Sequence, residues 1–321
     1  MLKCSYMSIY DEIKKPIISL APMEDVTDTV FRQIVNSIQR PDLFYTEFVN
    51  VEGLSSEGRE KVINRLKYNP IEKPLIAQLW GTEPDNFFKS AKEVKKLGFD
   101  GVDINMGCSV RKVVKKNAGS GLMREDRDHV KSIIERTKKG AEDLPVSVKT
   151  RLGWASYDMD WVEFLLKQEL DVLTFNTITV RGSKAKYPNW GVIRDIVKMR
   201  DEMSRKTLIF GNGGVLNVQQ AKKYAEKYGV DGVMIGRAVL ANPWLFSKKK
   251  DEVLVRDSIK KFKEHVLLFQ KTWGSEKNPN SLRKYIKSYI SGFGGSRETR
   301  ERLLECSTIE EFLSEIDRAL K

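Results

Sequence analysis

Eight short runs rich in β-branched and aromatic residues recur up to residue 236, and helical patterns fill most of the gaps between them. The runs are IISLAP (17–22), LFYTEF (43–48), LIAQLW (75–80), GVDINM (101–106), VSVKT (146–150), VLTFN (172–176), TLIFG (207–211) and GVMIG (232–236). DNFFKSAKEVKKLG and VKSIIERTKKGAE are examples of the intervening helical stretches. A strict strand–helix alternation of this length predicts an α/β fold, namely a closed (β/α)8 TIM barrel, with an open doubly wound sheet as the alternative. Several runs are almost continuously apolar, as strands are when helices cover both faces of a parallel sheet. After Phe246 the pattern changes. SKKKDE reads as a polar hinge, and VRDSIKKFKEHVLLFQKTW, LRKYIKSYISGF and TIEEFLSEIDRAL read as helices with no further strand. The expected division is a barrel over 1–246 and a small helical domain over 251–321.

With 321 residues, 40% hydrophobic and 31% charged, the chain has ample material for a core, which excludes a disordered protein or a collagen-like repeat. No apolar run is long enough to span a membrane, and the N-terminus lacks the apolar segment of a secretory signal. Lys plus Arg exceed Asp plus Glu by 56 to 44, a net charge of +12. From residue 247 onward there are 17 basic and 12 acidic residues, so +5 of the surplus lies in the helical region. Such a surplus suits a polyanionic partner, either nucleic acid or an anionic membrane face, or else a lysine-rich solvated surface. The three cysteines, Cys4, Cys108 and Cys306, form no metal-binding or disulfide pattern and point to a reducing cytoplasm. Of the two histidines, His129 opens a helix and His265 lies inside one. Neither is placed as a catalyst, so acid–base chemistry near neutral pH falls to another group.

In a parallel barrel the chemistry collects at the C-terminal ends of the strands. GNGG, with Asn212, Gly213 and Gly214, follows the seventh run, and Gly236 with Arg237 follows the eighth. Glycines there let backbone N–H groups approach a phosphate, and Arg237 adds a cation. Ordinary tight turns are the plain alternative. Lys149 ends the fifth run and points into the barrel mouth, where it can hold the electron-rich end of a heterocycle or form an ion pair with Asp103 or Glu47. Gln78 and Asn105 end the third and fourth runs, and each reads either as a heterocycle-edge contact or as a satisfied buried amide. Pro22, Met23 and Glu24 follow the first run. They can place backbone and a thioether against a flat ring, or simply form a turn with Asp25 or Thr27 as helix cap.

Cys108 follows the fourth run in DINMGCSVRKVVKKNAGSGLM, with Arg111, Lys112, Lys115 and Lys116 close behind. Neighbouring cations are expected to lower its pKa and mark it as a nucleophile or proton donor. With no histidine positioned beside it, a Cys–His protease arrangement is disfavoured.

Taken in order, APMEDVTDTVFR, AQLWG, DINMGCSVRKVVKKNAGSGLM, VKTRLGW, GNGGV and GVMIGRAVLANPWLF resemble the motifs of the tRNA-dihydrouridine synthases. RKYIKSYISGFGGSRETR resembles that family's RNA-binding helical domain. The resemblance implies an FMN-dependent enzyme that uses NADPH (or NADH) to reduce uridines of tRNA to 5,6-dihydrouridine, with hydride going to C6 and a proton from Cys108 to C5. It also implies FMN contacts from Pro22, Met23, Glu24, Gln78, Lys149, Asn212, Gly213, Gly214, Gly236 and Arg237. Asn105 is implied as a uracil contact, and Arg111 and Lys112 are candidate RNA contacts. No metal, no membrane and a monomer are expected. Two features depart from the family pattern. Ser109 replaces the usual proline after the cysteine, and Arg181 stands where a histidine is usual, with Asn176 as the other candidate for that place. An arginine there stays charged and cannot shuttle a proton near neutral pH. A small-molecule dihydropyrimidine or dihydroorotate-type reductase, or a dihydrouridine synthase acting on ribosomal RNA, are the alternatives.

Overall fold

In the computed structural model, which describes residues 8–184, 188–248 and 253–321, all eight expected runs are strands. They are β1 (Ile17–Leu20), β2 (Phe44–Asn50), β3 (Leu75–Trp80), β4 (Gly101–Met106), β5 (Val146–Arg151), β6 (Val172–Asn176), β7 (Leu208–Asn212) and β8 (Gly232–Ile235). All pair in parallel in the order β1-β8-β7-β6-β5-β4-β3-β2. A parallel bridge between Ser19 and Leu43 joins the two ends of that order. Around it Leu20 N donates to the Leu43 carbonyl (3.1 Å) and Asp42 N to that of Ile18 (2.9 Å). The sheet therefore closes, and the open-sheet alternative is set aside.

The Ile- and Val-rich strands are buried along nearly their whole length, as two covered faces require. One end of the barrel interior is filled by Ile17, Leu43, Tyr45, Ile76, Val172, Phe210 and Met234. The short helix Ile9–Glu12 adds Tyr10, whose ring meets Phe210 edge-on at 6.3 Å. The hydroxyls of Tyr10 and Tyr45 lie near Asp103 and Ser147, where this core meets the polar side chains of the barrel interior.

The chain divides into two compact units, and the division is not simply N- to C-terminal. One unit is Met1–Glu24 with Asp42–Gly236, and the other is Asp25–Pro41 with Arg237–Lys321. The second unit thus includes Asp25–Pro41 and Arg237–Phe246, which the sequence pattern groups with the barrel. Residues 249–252, most of the expected hinge together with the expected start of the helical domain, lie outside the described residues, as does Cys4. In the second unit the helices Thr29–Gln39, Val255–Trp273, Ser296–Glu305 and Ile309–Leu320 surround an aromatic core. Phe31 stacks on Tyr285 (5.0 Å between ring centres), and Phe262 stacks on Tyr289 (5.2 Å). Asp28, not Asp25 or Thr27, caps the helix Thr29–Gln39 by accepting from Phe31 N at 3.0 Å. Asp28 also accepts from Trp273 Nε1 (3.0 Å) and pairs with Lys277 (2.9 Å), which together tie this helix to the C-terminal segment. His265 is a core residue, its Nδ1 3.2 Å from the Tyr289 hydroxyl, and burial depresses its pKa to about 4.

Candidate functional site

Side chains alternate along a strand, so residues two apart share a face. On β5 that rule groups Ser147, Lys149 and Arg151, and on β4 it groups Asp103 and Asn105. Asp103 pairs in register with Gln78 on β3 and with Ser147 on β5, while Asn105 pairs with Lys149. The polar residues of three neighbouring strands thereby meet inside the barrel.

They form one hydrogen-bond chain. Ser147 Oγ donates to Asp103 Oδ1 at 2.5 Å, and Gln78 Nε2 donates to Asp103 Oδ2 at 2.6 Å. Asn105 Nδ2 donates to Gln78 Oε1 at 2.9 Å. Asn105 Oδ1 then accepts from the backbone N–H of Gly107 (3.1 Å) and of Cys108 (2.9 Å). Gln78 and Asn105 thus bond to each other, and both are buried. Desolvation raises the pKa of Asp103 to about 6, against the opposing pull of Ser147, Gln78 and the Lys149 charge.

The loop after β4 carries Cys108 at half-burial. Its carbonyl accepts from Ser120 N at 2.9 Å. Gly119 lies beneath it at φ +58°, where a Cβ would fall 2.8 Å from the Cys108 oxygen, so a side chain there is excluded on two counts. A second clamp comes from Arg151. Its Nε donates to the Gly107 carbonyl (2.7 Å), its Nη2 to Ser109 Oγ (3.1 Å) and its Nη1 to the Thr179 carbonyl (3.3 Å). Ser109 therefore supplies a hydroxyl that joins the cysteine loop to the loop after β6.

The electrostatics at Cys108 differ from the sequence expectation. Burial raises the thiol pKa above its ordinary value, and the opposing influences are the Val110 N–H, Arg151 and Lys149. The run Arg111, Lys112, Lys115 and Lys116 lies exposed on and just after the short helix Arg111–Val114 and does not set the thiol's charge. The sulfur is held as a thiol at neutral pH. That state suits a proton donor and not a resting nucleophile.

Lys149 is densely enclosed by protein yet keeps some solvent access, and it has no hydrogen-bond or ion-pair partner among the described residues. Neither ion pair considered from sequence, with Asp103 or Glu47, forms. Desolvation and the nearby Arg151 lower its pKa to about 8. An enclosed ammonium with no partner is costly and favours an anion or carbonyl oxygen beside it.

Gly213 and Gly214 follow β7 with φ +128° and +67°. Together with Gly236, after β8, their backbone N–H groups donate to no other described residue. Asn212 is occupied, because its Nδ2 donates to the Met234 carbonyl at 2.8 Å. A Cβ at Gly236 would lie 3.4 Å from Ala21 Cβ and 3.7 Å from Met23 Sδ, so the segment after β1, with Pro22, adjoins the end of β8. Glu24 is engaged by Arg65, whose Nε (2.9 Å) and Nη2 (2.6 Å) both donate to Oε1. Arg237 is exposed and begins the second unit.

Asn176 and Arg181, the two candidates after β6, occupy different places. Asn176 ends the strand, and its Oδ1 is buried with no hydrogen-bond partner among the described residues and 3.5 Å from where a Gly213 Cβ would be. Arg181 is exposed five residues on, with its backbone N–H donating to the Trp154 carbonyl at 2.9 Å. Asn176 is the one of the two that faces the glycine loop. Sequence reading missed Arg151 as a clamp and Asp103 as a link in the chain, although the two-residue period on β4 and β5 was available to find both.

A family model described as dihydrouridine synthase (Dus) matches residues 19–321. A "Probable tRNA-dihydrouridine synthase" of Staphylococcus aureus (strain MRSA252) is 38% identical over 314 residues, covering 97% of this chain and 95% of the relative. A "Probable tRNA-dihydrouridine synthase 2" of Bacillus subtilis (strain 168) is 37% identical over 314 residues, covering 97% and 96%. Among solved structures, a 2-naphthoyl-CoA reductase complex superposes with TM-score 0.57 at 14% identity over 77% of this chain and 51% of that one. Histamine dehydrogenase from Rhizobium sp. 4-9 superposes with TM-score 0.55 at 12% identity over 98% and 65%. At those identities the two structures establish the shared fold.

Proposed function

Because this chain belongs to the dihydrouridine synthase family, we propose that it reduces defined uridines of tRNA to 5,6-dihydrouridine, with FMN as resident flavin and NADPH (or NADH) as its reductant. The observation that carries the reading is Cys108, a thiol kept protonated by burial on the loop after β4, with Lys149 close enough to act on its charge. The three N–H groups of Gly213, Gly214 and Gly236 fit a phosphate, and Arg237 follows in the chain. The Lys149 ammonium, without a hydrogen-bond or ion-pair partner among the described residues, fits the electron-rich pyrimidine end of a flavin. Pro22 and Met23, which adjoin the end of β8, would meet the flavin's edge, whereas Gln78 and Asn212 are bonded within the protein and Glu24 is held by Arg65. When bound, FMN would supply the hydride for C6 of the uracil. Cys108 delivers the proton to C5, and Asn105 holds the loop from which it does so. The target base must leave its stack to reach the site. Exposed Arg111 and Lys112 and the helical region 251–321 grip the RNA backbone, in keeping with the net charge of +12.

The deciding experiment incubates the protein, FMN and NADPH with unmodified tRNA transcripts and with total RNA from a strain lacking the gene, then maps dihydrouridine by mass spectrometry. Product at defined tRNA uridines is expected. Product only in ribosomal RNA overturns the substrate. NADPH consumption without any RNA product points to a small-molecule dihydropyrimidine reductase.

Two further outcomes follow from the geometry. Lys149 binds an anionic or carbonyl partner as an ammonium, and its pKa lies near 8 in the unliganded fold. Flavin affinity is therefore expected to be full below that pH and to weaken as pH rises through and above it. Fluorescence titration of apoprotein with FMN across that range checks this, and a flat profile removes Lys149 from the flavin contact. Lys112→Glu is expected to weaken tRNA binding and reduce its salt slope by about 1 to 2, since one phosphate contact is lost and a repulsion gained. Binding isotherms over a salt series read this directly, and an unchanged slope places the RNA path elsewhere.

A further inference from the structure

We propose that Asp103 is a positioning residue for the Cys108 loop: its carboxylate sets the direction of the Gln78–Asn105 amide chain, so that Asn105 presents its oxygen to the backbone N–H groups of Gly107 and Cys108. The argument is one of hydrogen-bond polarity. A backbone N–H only donates, so Asn105 must offer Oδ1 to Gly107 and Cys108 (3.1 and 2.9 Å). That leaves Asn105 Nδ2 to donate to Gln78 Oε1 (2.9 Å), and Gln78 Nε2 must then find an acceptor at its far side. The group there is Asp103 Oδ2 at 2.6 Å, which as a carboxylate can only accept. Rotating the Gln78 amide by half a turn would set oxygen against oxygen at Asp103 and NH2 against NH2 at Asn105. The Ser147 hydroxyl satisfies the other carboxylate oxygen at 2.5 Å and so steadies Asp103 from β5. Asp103 is fully enclosed in the barrel and has no hydrogen bond to Cys108 among the described residues, so its hydrogen-bond route to the loop runs through the two amides; its charge acts separately on Lys149.

A carboxylate wholly buried between strands is expensive, and an apolar residue of similar size would pack there at less cost. What the carboxylate supplies, and an apolar residue does not, is an obligate acceptor at the root of the chain. Asparagine can also supply it, with Oδ1 toward Gln78 and Nδ2 toward the Ser147 oxygen.

The test compares Asp103→Leu with Asp103→Asn. Two readouts are taken: the alkylation rate of Cys108 in apoprotein with a small haloacetamide, and kcat for dihydrouridine formation at saturating FMN and RNA. In Asp103→Leu the Gln78 NH2 loses its acceptor and the loop loses its fixed geometry. Cys108 alkylation is expected to change by about 5- to 150-fold, with kcat falling over the same range at little changed KM, the span of one buried hydrogen bond left unmade. Asp103→Asn is expected to stay within about twofold of the parent on both readouts. The inference is overturned if Asp103→Leu matches the parent, because the chain then needs no acceptor. It is equally overturned if Asp103→Asn is as impaired as Asp103→Leu, because charge and not direction is then what matters. The kcat arm rests on Cys108 being the proton donor of the proposed reaction. The alkylation arm needs neither flavin nor RNA, so the failure of one reading is separable from the failure of the other.

Discussion

Cys108→Ala is expected to cut dihydrouridine formation by roughly 10²- to 10⁴-fold while flavin content and NADPH-dependent flavin reduction stay as in the parent. The size is that of removing a positioned general acid. The selectivity follows from the site: the loop is held by backbone and neighbouring groups and not by the sulfur. Asn105 holds the Cys108 N–H, Ser120 N–H holds its carbonyl, and Arg151 clamps Gly107 and Ser109. Removing Sγ leaves all of these in place. Lys149 and the glycine N–H groups are likewise untouched, so the flavin pocket keeps its donors. Single-turnover reduction of tRNA, followed by mass spectrometry, separates the lost protonation from the retained flavin chemistry. Parental product yield from the alanine variant would remove the thiol from the mechanism.

Phe31→Ala should destabilise the helical unit by about 3–5 kcal/mol, the usual cost of emptying a fully buried aromatic site. Phe31 is 0% exposed, stacks on Tyr285 at 5.0 Å and lies 6.0 Å from His265. The cavity would open beside a histidine that the fold keeps neutral. Its pKa in the fold is near 4, below the ordinary 6.5, so its contribution to stability is present above 6.5 and is lost as pH falls toward 4. The variant is therefore expected to unfold at lower urea than the parent and to do so at higher pH on acid titration. A urea midpoint equal to the parent's would show that the stack contributes nothing.

The strands were legible because a β-branched run needs only its own residues to declare itself, and their number and alternation with helices foretold a barrel. Closure was expected from the count and alternation of the runs, but the register that closes it, the bridge between Ser19 in the first run and Leu43 in the second, was not legible in either run alone. Cys108 was legible as a loop thiol, but the sign of its pKa shift was not. Sequence proximity put Arg111 and Lys112 beside it, whereas the folded chain turns them outward and brings Arg151 and Lys149 from another strand. Gln78 and Asn105 were each readable as ligand contact or satisfied amide. That they satisfy each other depends on the register of β3 and β4, which no single run encodes. The place of helix Thr29–Gln39 was also hidden, because its partners lie more than 200 positions downstream.

That last placement has a consequence for biosynthesis. The helix leaves the ribosome directly after β1, yet the residues that cover Phe31 and hold Asp28, namely His265, Trp273, Lys277 and Tyr285, are made only after all eight strands. During translation the barrel strands can assemble in order while an amphipathic helix between β1 and β2 waits without its partners. A nascent chain stalled at Gly236 would carry that apolar face bare, a natural target for a holding chaperone. A fragment starting at Arg237 would conversely lack the helix that completes its core. The segments Asp25–Pro41 and Arg237–Lys321 thus depend on each other in one folded unit, even though strands β2 to β8 lie between them in the chain.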